Sequence, residues 1–272
     1  MVKKMNLFHK IKVCASLASV VALMFTACGL DTFYYLDSPL YATSPVTTDN
    51  EDPVKDFFSC RTNEESSTGD NYLYFSSSSD FRFLGTEIYY KIYNNLSTMR
   101  SVESSVSSMI SSTSSYSSAA DYLIESKGYK TLKTSSGSVF PLVKAGSSPD
   151  NRYVYIRLSN YGSGEDYKSA ICIGNYVIDR YDPSASLNVD GVEVFPRRNS
   201  NSAYGFSFST TDEANPVPSR DDSDVTYSET TTEEGVWYVD MYAVSVGRDA
   251  SYTLSYSQPY LMGAVKIVVS GS

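Results

Sequence analysis

Apolar residues alternate with polar or amphipathic ones along much of this chain, at the period of two that places every second side chain on one face of a β-strand. Val154, Ile156 and Leu158 share one face and Tyr153, Tyr155 and Arg157 the other, the pattern of a half-buried antiparallel strand. The same reading predicts strands over 54–62, 71–75, 81–93, 169–178, 204–209, 236–246, 252–257 and 262–269. Asp190-Gly191, between Leu187/Val189 and Val192/Val194, supplies the positive backbone dihedrals of a two-residue turn and predicts a hairpin over 186–195. One stretch breaks the pattern. Between Leu96 and Lys127 the apolar positions Met99, Val102, Val106, Met109, Leu123 and Ile124 fall mostly at steps of three and four, which predicts a helix or a broken pair of helices. Its filler is serine, a modest helix former, so packing of the apolar stripe has to hold it; a Ser-rich linker over 111–118 is the competing reading. Many short strands with turn residues between them predict a mainly β chain, an antiparallel β-sandwich with a helical insertion around residues 96–127.

The first 28 residues follow another pattern. Lys3, Lys4, Lys10 and Lys12 precede an uncharged apolar run from Val13 to Phe25, then Thr26-Ala27-Cys28. That run is shorter than the ~20 apolar residues of a membrane-spanning helix and reads as a secretory leader. Phe25 stands where simple cleavage wants a small residue. Phe25-Thr26-Ala27-Cys28 resembles the lipobox of bacterial lipoproteins, in the relaxed form seen in spirochaete lipoproteins, with Phe25 at the place of the usual leucine. The resemblance implies that residues 1–27 are removed as a signal peptide and that Cys28 becomes an acylated N-terminus. The chain would then be lipid-anchored in the bacterial cell envelope, at the outer membrane or cell surface. Each buried methylene contributes ~0.8 kcal/mol, so an anchor of two or more chains holds without a transmembrane helix. Residues 28–52, with Pro39, Pro45 and several Ser and Thr, read as a flexible tether, except that Phe33-Tyr34-Tyr35-Leu36 within it reads as packing back on the domain or lying near the headgroups, and 53–272 as the folded domain.

Removing residues 1–27 takes away four lysines and no acidic side chain, leaving 18 basic against 31 acidic residues. Such a surface repels phosphates, and nucleic acid is not an expected partner. The single histidine, His9, leaves with the leader. The mature chain therefore has no imidazole for a Ser-His-Asp or Cys-His pair or for a histidine zinc site. No cofactor is expected. Asp222, Asp224 and Glu233 fall at positions 1, 3 and 12 of a calcium-loop spacing, but Tyr227 stands where that loop needs glycine. The acidic stretch 221–226 therefore reads as a solvated loop, Pro196-Arg197-Arg198 as a solvated basic pair, and no metal site is assigned. Cys60 and Cys172 read either as a disulfide of an exported chain or as two small hydrophobes buried on different strands.

Trp237 to Gly247, with alternate apolar residues running to a glycine turn, resembles the penultimate strand of the fibronectin type III and related immunoglobulin-like sandwiches. Gly85 to Tyr93 resembles their middle strand. The resemblance implies fold more than function. Tyrosine is the compositional outlier, 24 residues, all beyond Cys28. Tyr89, Tyr153, Tyr155 and Tyr242 are the candidates for a binding surface, since tyrosine offers rigid apolar area with a polar tip; the competing reading makes them sheet stabilisers. The expected function is non-covalent binding of a protein or glycan. The alternatives are an envelope hydrolase using an Asp/Glu carboxylate pair and a purely structural envelope component.

Overall fold

The computed structural model describes residues 34–49, 57–64, 71, 80–112, 117–137, 139–146, 151–159, 169–174, 194–230 and 233–271. The leader, Cys28, the first part of the tether, the Asp190-Gly191 turn and residues 72–75 of a predicted strand lie outside them. In chain order the elements are β1 (Phe58–Arg61), β2 (Phe81–Tyr93), α1 (Leu96–Ser111), α2 (Ser118–Asp121), β3 (Lys130–Thr131), β4 (Lys133–Thr134), β5 (Val143–Lys144) and β6 (Tyr153–Arg157). There follow β7 (Ala170–Gly174), β8 (Pro196–Arg197), β9 (Val225–Thr226), β10 (Val236–Asp249), β11 (Leu254–Tyr256) and β12 (Tyr260–Val268). The chain is mainly β, with antiparallel sheets consistent with a sandwich.

The two longest strands, β2 and β10, form an antiparallel pair running from Tyr93↔Tyr238 to Phe81↔Asp249. The far edge of β10 is taken by β12 and then β11. The far edge of β2 is shared by β9, which runs parallel to it, then β3 and β5. A second antiparallel sheet, β1-β6-β7, joins Cys60 to Val154 and Tyr155 to Cys172 as cross-strand neighbours. Ile88, Tyr90 and Ile92 of β2 and Trp237, Val239 and Met241 of β10 bury against Phe58, Val154, Ile156 and Ile171 of that second sheet. The opposite face of the large sheet, with Tyr89, Tyr93, Tyr242 and Val244, buries Met99, Val102 and Val106 of α1 and Ala120 and Leu123 beyond it. Hence the central pair is covered twice, by a sheet and by helices. Fully burying one such side chain contributes about 1.5–3 kcal/mol, so both layers are held chiefly by these apolar stripes.

The predicted helix forms, in two parts. Asn95 caps α1 by accepting from the Thr98 amide at 3.0 Å, and the buried Met99, Val102 and Val106 lie at i, i+3 and i+7. Ser105, Ser108 and Ser111 turn their hydroxyls back onto carbonyls four residues earlier. That satisfies the solvent side of a helix with few strong formers. After α2 the chain widens into a π-helical turn, Tyr122–Ser126, closed by the Lys127 amide on the Tyr122 carbonyl at 2.9 Å.

Two strand predictions change. Tyr204–Ser209 is not a strand: Phe206 and Phe208 are buried in the core, but Gly205 and Ser209 donate their amides to the Ala214 and Asn215 carbonyls of a neighbouring loop. Alternation there reflects two rings reaching the core from irregular backbone. The 252–257 segment pairs only over β11, because Tyr252 takes the left-handed conformation, φ 67°, of a turn.

Candidate functional site

The four tyrosines proposed as a binding surface do not form one. Tyr89, Tyr155 and Tyr242 are buried, and Tyr153 is half-buried with the Arg61 guanidinium 5.0 Å from its ring centroid. Tyr153 and Tyr155 stack with centroids 6.0 Å apart, while Tyr242 meets Tyr129 edge-to-face at 5.7 Å. Aromatic pairing across and between layers has absorbed them. Cys60 and Cys172 are free thiols: β6 lies between their strands, and Cys60 faces the sandwich core while Cys172 packs in a separate outer cluster with Tyr155 and Ala170. The bridge is therefore not made. Burial pushes the Cys60 thiol far above its ordinary value, which leaves it inert.

The acidic loop and the basic pair, read as solvated, meet inside the protein. Arg198 is 0% exposed and donates to Asp222 at 2.6 Å and to Asp224 at 2.8 and 3.1 Å. Tyr90 adds a hydroxyl to Asp224 at 2.5 Å. Burial opposes the charge on Asp224, but the Arg198 hydrogen bonds and charge, with help from Tyr90, hold its carboxyl below the usual range. These two carboxylates, at positions 1 and 3 of the calcium-like spacing, are engaged by a guanidinium.

On the other face of the large sheet, Tyr93 donates to the Tyr129 hydroxyl at 3.1 Å, and Tyr129 donates to Asp240 at 2.5 Å. Asp240 is fully buried. Burial, reinforced by Glu103, pushes its carboxyl well above the ordinary value against the pull of Tyr129, which favours the neutral acid. Glu87, also 0% exposed, is pushed up to about 8 by burial. Both carboxyls are shut away from solvent, where a substrate could not reach them.

The accessible chemistry lies where β2 begins and β10 ends. A cleft of about 500 Å³ opens there, within the ~300–1,000 Å³ of ligand pockets. It is lined by Arg82, Lys144, Arg248, Phe140, Tyr252 and Leu254 over the ends of the two strands. A bulge sets the arrangement up. Gly85 has φ 139° and an added Cβ would lie 2.0 Å from the Val143 carbonyl oxygen, so only glycine lets β5 approach here. Past that bulge the register places Arg82 directly opposite Arg248. Like charges so placed repel. Among the described residues none of the three cations makes an ion pair, and the cleft lining includes no Asp or Glu.

Aromatic surface flanks these cations. Tyr252 is 74% and Phe140 43% exposed, and Arg248 lies 4.7 Å from the Tyr252 ring centroid. Tyr252 is the one non-glycine residue with positive φ among the described residues, fixed in its turn by its amide on the Asp249 carbonyl at 3.0 Å. A second cleft of about 310 Å³, beside Leu158, Phe206 and Asn215, has a single cation, Arg197. Sequence reading missed the larger site because its residues are scattered over four short segments. Tyr252 next to a hairpin turn and the Phe81-Arg82-Phe83 triplet were visible, but only strand register brings Arg82 to Arg248.

Among the described residues no group of three or more His, Cys, Asp or Glu is placed to hold a metal ion, and no helix is long and apolar enough to cross a membrane. Compared with known proteins, the chain matches no family model, no curated protein and no solved structure.

Proposed function

We propose that this chain is a lipid-anchored protein of the bacterial cell envelope that binds a protein or glycan non-covalently at the Arg82–Lys144–Arg248 cleft. The anchor is Cys28, acylated after loss of residues 1–27, and the tether to the outer membrane or cell surface is only the start of 28–52: Leu36 and Val46 are buried in the body, and Leu40 and Val46 bridge to Arg61 and Gly263. The body belongs with the fibronectin type III and immunoglobulin-like sandwiches. Support for that assignment comes from Gly85–Tyr93 and Trp237–Gly247, the two stretches that resemble the family, which pair as central neighbours.

The observation that carries the binding role is a solvent-open cleft in which three cations, none of them in an ion pair among the described residues, converge beside exposed rings. Cross-strand repulsion between Arg82 and Arg248 costs the fold a few tenths of a kcal/mol or more and contributes nothing to the core. A left-handed tyrosine costs on the order of 1 kcal/mol in addition. Strain of this kind collects at binding sites. Two experiments test the reading. Cells fed radiolabelled palmitate should label the wild-type protein and not Cys28→Ser, and an unlabelled wild type removes the anchor. On a glycan and peptide array, full-length protein in detergent should bind at least one class of probe that Tyr252→Ala no longer binds. Identical binding by both proteins removes the cleft.

A further inference from the structure

Given that the cleft is the binding site, the geometry points to an acidic sugar as its ligand: a uronic acid unit whose carboxylate lies between Arg82 and Arg248 and whose ring rests on Tyr252. The inference rests on the proposed binding role and adds the ligand class.

The charge comes first. After loss of the leader the chain carries 18 basic and 31 acidic side chains, so three cations on one cleft without an acidic neighbour in its lining run against the whole surface. Arg82 and Arg248 are direct cross-strand neighbours, at a Cβ separation of roughly 5 Å. Two arginines on directly opposed strand positions repel, an anion with two acceptor oxygens relieves that repulsion, and a planar carboxylate matches their forked donors. Lys144, from β5 on the flank of β2, adds a third donor to the same cleft.

The ring platform comes second. Arg248 stacks on Tyr252 at 4.7 Å, which leaves the other face of a 74% exposed ring to solvent. Tyrosine carries an apolar body and a polar tip, suited to the C–H face and hydroxyls of a sugar. Phe140 and Leu254 widen the apolar rim.

Backbone pairing decides between a sugar and an acidic peptide. An extended peptide gains affinity by adding a strand to a free sheet edge. Here β5 occupies the edge of β2 at Gly85 and Thr86, and β11 occupies the edge of β10 from Val246 to Arg248. Beyond the short Phe81–Phe83 end of β2 and the outer side of β11, recognition at the arginines is left to side chains, which favours a compact ligand with a carboxylate and a flat face over a strand.

The test is calorimetric titration of full-length protein in detergent with trigalacturonic acid, its methyl ester and a glutamate-rich peptide, on wild type, Arg82→Gln, Arg248→Gln and Tyr252→Gly. Glycine tolerates the left-handed turn, so the last variant removes the ring without harming the fold. The acid should bind, the ester at least tenfold more weakly, and each arginine variant should lose about tenfold or more in affinity. Melting temperatures of the variants should stay level or rise; a fall would mark these residues as structural and overturn the inference. Equal binding of acid and ester, lost in Tyr252→Gly, overturns the acidic ligand and leaves the cleft standing. Binding of the peptide alone, sensitive to Arg82→Gln, overturns the sugar. No binding of any probe, or binding indifferent to all three variants, overturns the inference and the proposed cleft together.

Discussion

Asp224 and Asp240 are both fully buried beside the central β2–β10 pair, one reached by Tyr90 on the sandwich face and the other by Tyr129 on the helix face. Each accepts a tyrosine hydroxyl at 2.5 Å, yet their carboxyls move in opposite directions. Asp224 has Arg198 on it and stays charged. Among the described residues Asp240 has no cation within hydrogen-bond reach, only the pull of Arg100 set against Glu103, and its neutral form is favoured. A tyrosine hydrogen bond alone therefore does not offset desolvation of a carboxylate, whereas a guanidinium with two or more donors does.

One substitution made at both sites gives the largest contrast. Asp224→Asn takes from Arg198 the fully buried one of its two carboxylate partners, Asp222 remaining, and should cost up to about 3–5 kcal/mol. Asp240→Asn replaces an already neutral acid by its near-isostere and should change stability at pH 7 by less than ~1 kcal/mol. Urea denaturation of the two variants, with unchanged m-values, reads this directly. Equal losses would break the comparison, because Asp240 would then have to be charged.

The same contrast should appear as opposite pH slopes. Asp224 has a lowered carboxyl, so its contribution is complete above the ordinary aspartate range and disappears as pH falls through the folded value. Asp240 is raised: its contribution is complete below the ordinary range and drains away as pH climbs toward the folded value. Glu87 behaves likewise, between its ordinary 4.5 and about 8. Each group in its window contributes at most about 1.4 kcal/mol per pH unit. Glu87→Gln should flatten the decline of stability between those two pH values, and Asp240→Asn should flatten it from the ordinary aspartate range upward. A wild type whose stability rises steadily from pH 5 to 8 would contradict both assignments.

Tyr129→Phe probes the neutral network at smaller scale. It removes the donor to Asp240 and the acceptor of the Tyr93 hydroxyl, leaving two buried polar groups without that partner. The expected loss is about 1–3 kcal/mol. It should grow as pH rises, because an ionised Asp240 needs that donor more than a neutral one does.

Legibility in the sequence divided along the same lines. The period-two pattern marked β2 and β10 almost to their ends, and the stripe Met99, Val102, Val106 marked α1, because burial of one apolar face is a local signal. What it could not show was that the central pair is covered on both sides. That hid the burial of Tyr89 and Tyr242, two of the candidates for a binding surface, and of Asp240. Arg198 and the 221–224 acids looked solvated because their attraction acts across 24–26 residues of chain. Arg82 and Arg248 are separated by far more, and only the bulge at Gly85 fixes their register.

The smallest expected effect completes the series at the exposed end of the sheet. Arg82 and Arg248 are like charges set opposite one another, with neither a counter-ion as at Asp224 nor neutralisation as at Asp240. Water screens them, so the repulsion costs little. Arg82→Gln should raise stability by about 0.2–1 kcal/mol. Salt separates this from any packing effect: at about 1 M the Debye length is roughly 3 Å, and the advantage of the variant should vanish. An advantage that persists in high salt, or a loss in low salt, would mean that Arg82 packs as part of the fold and does not stand ready for an anion.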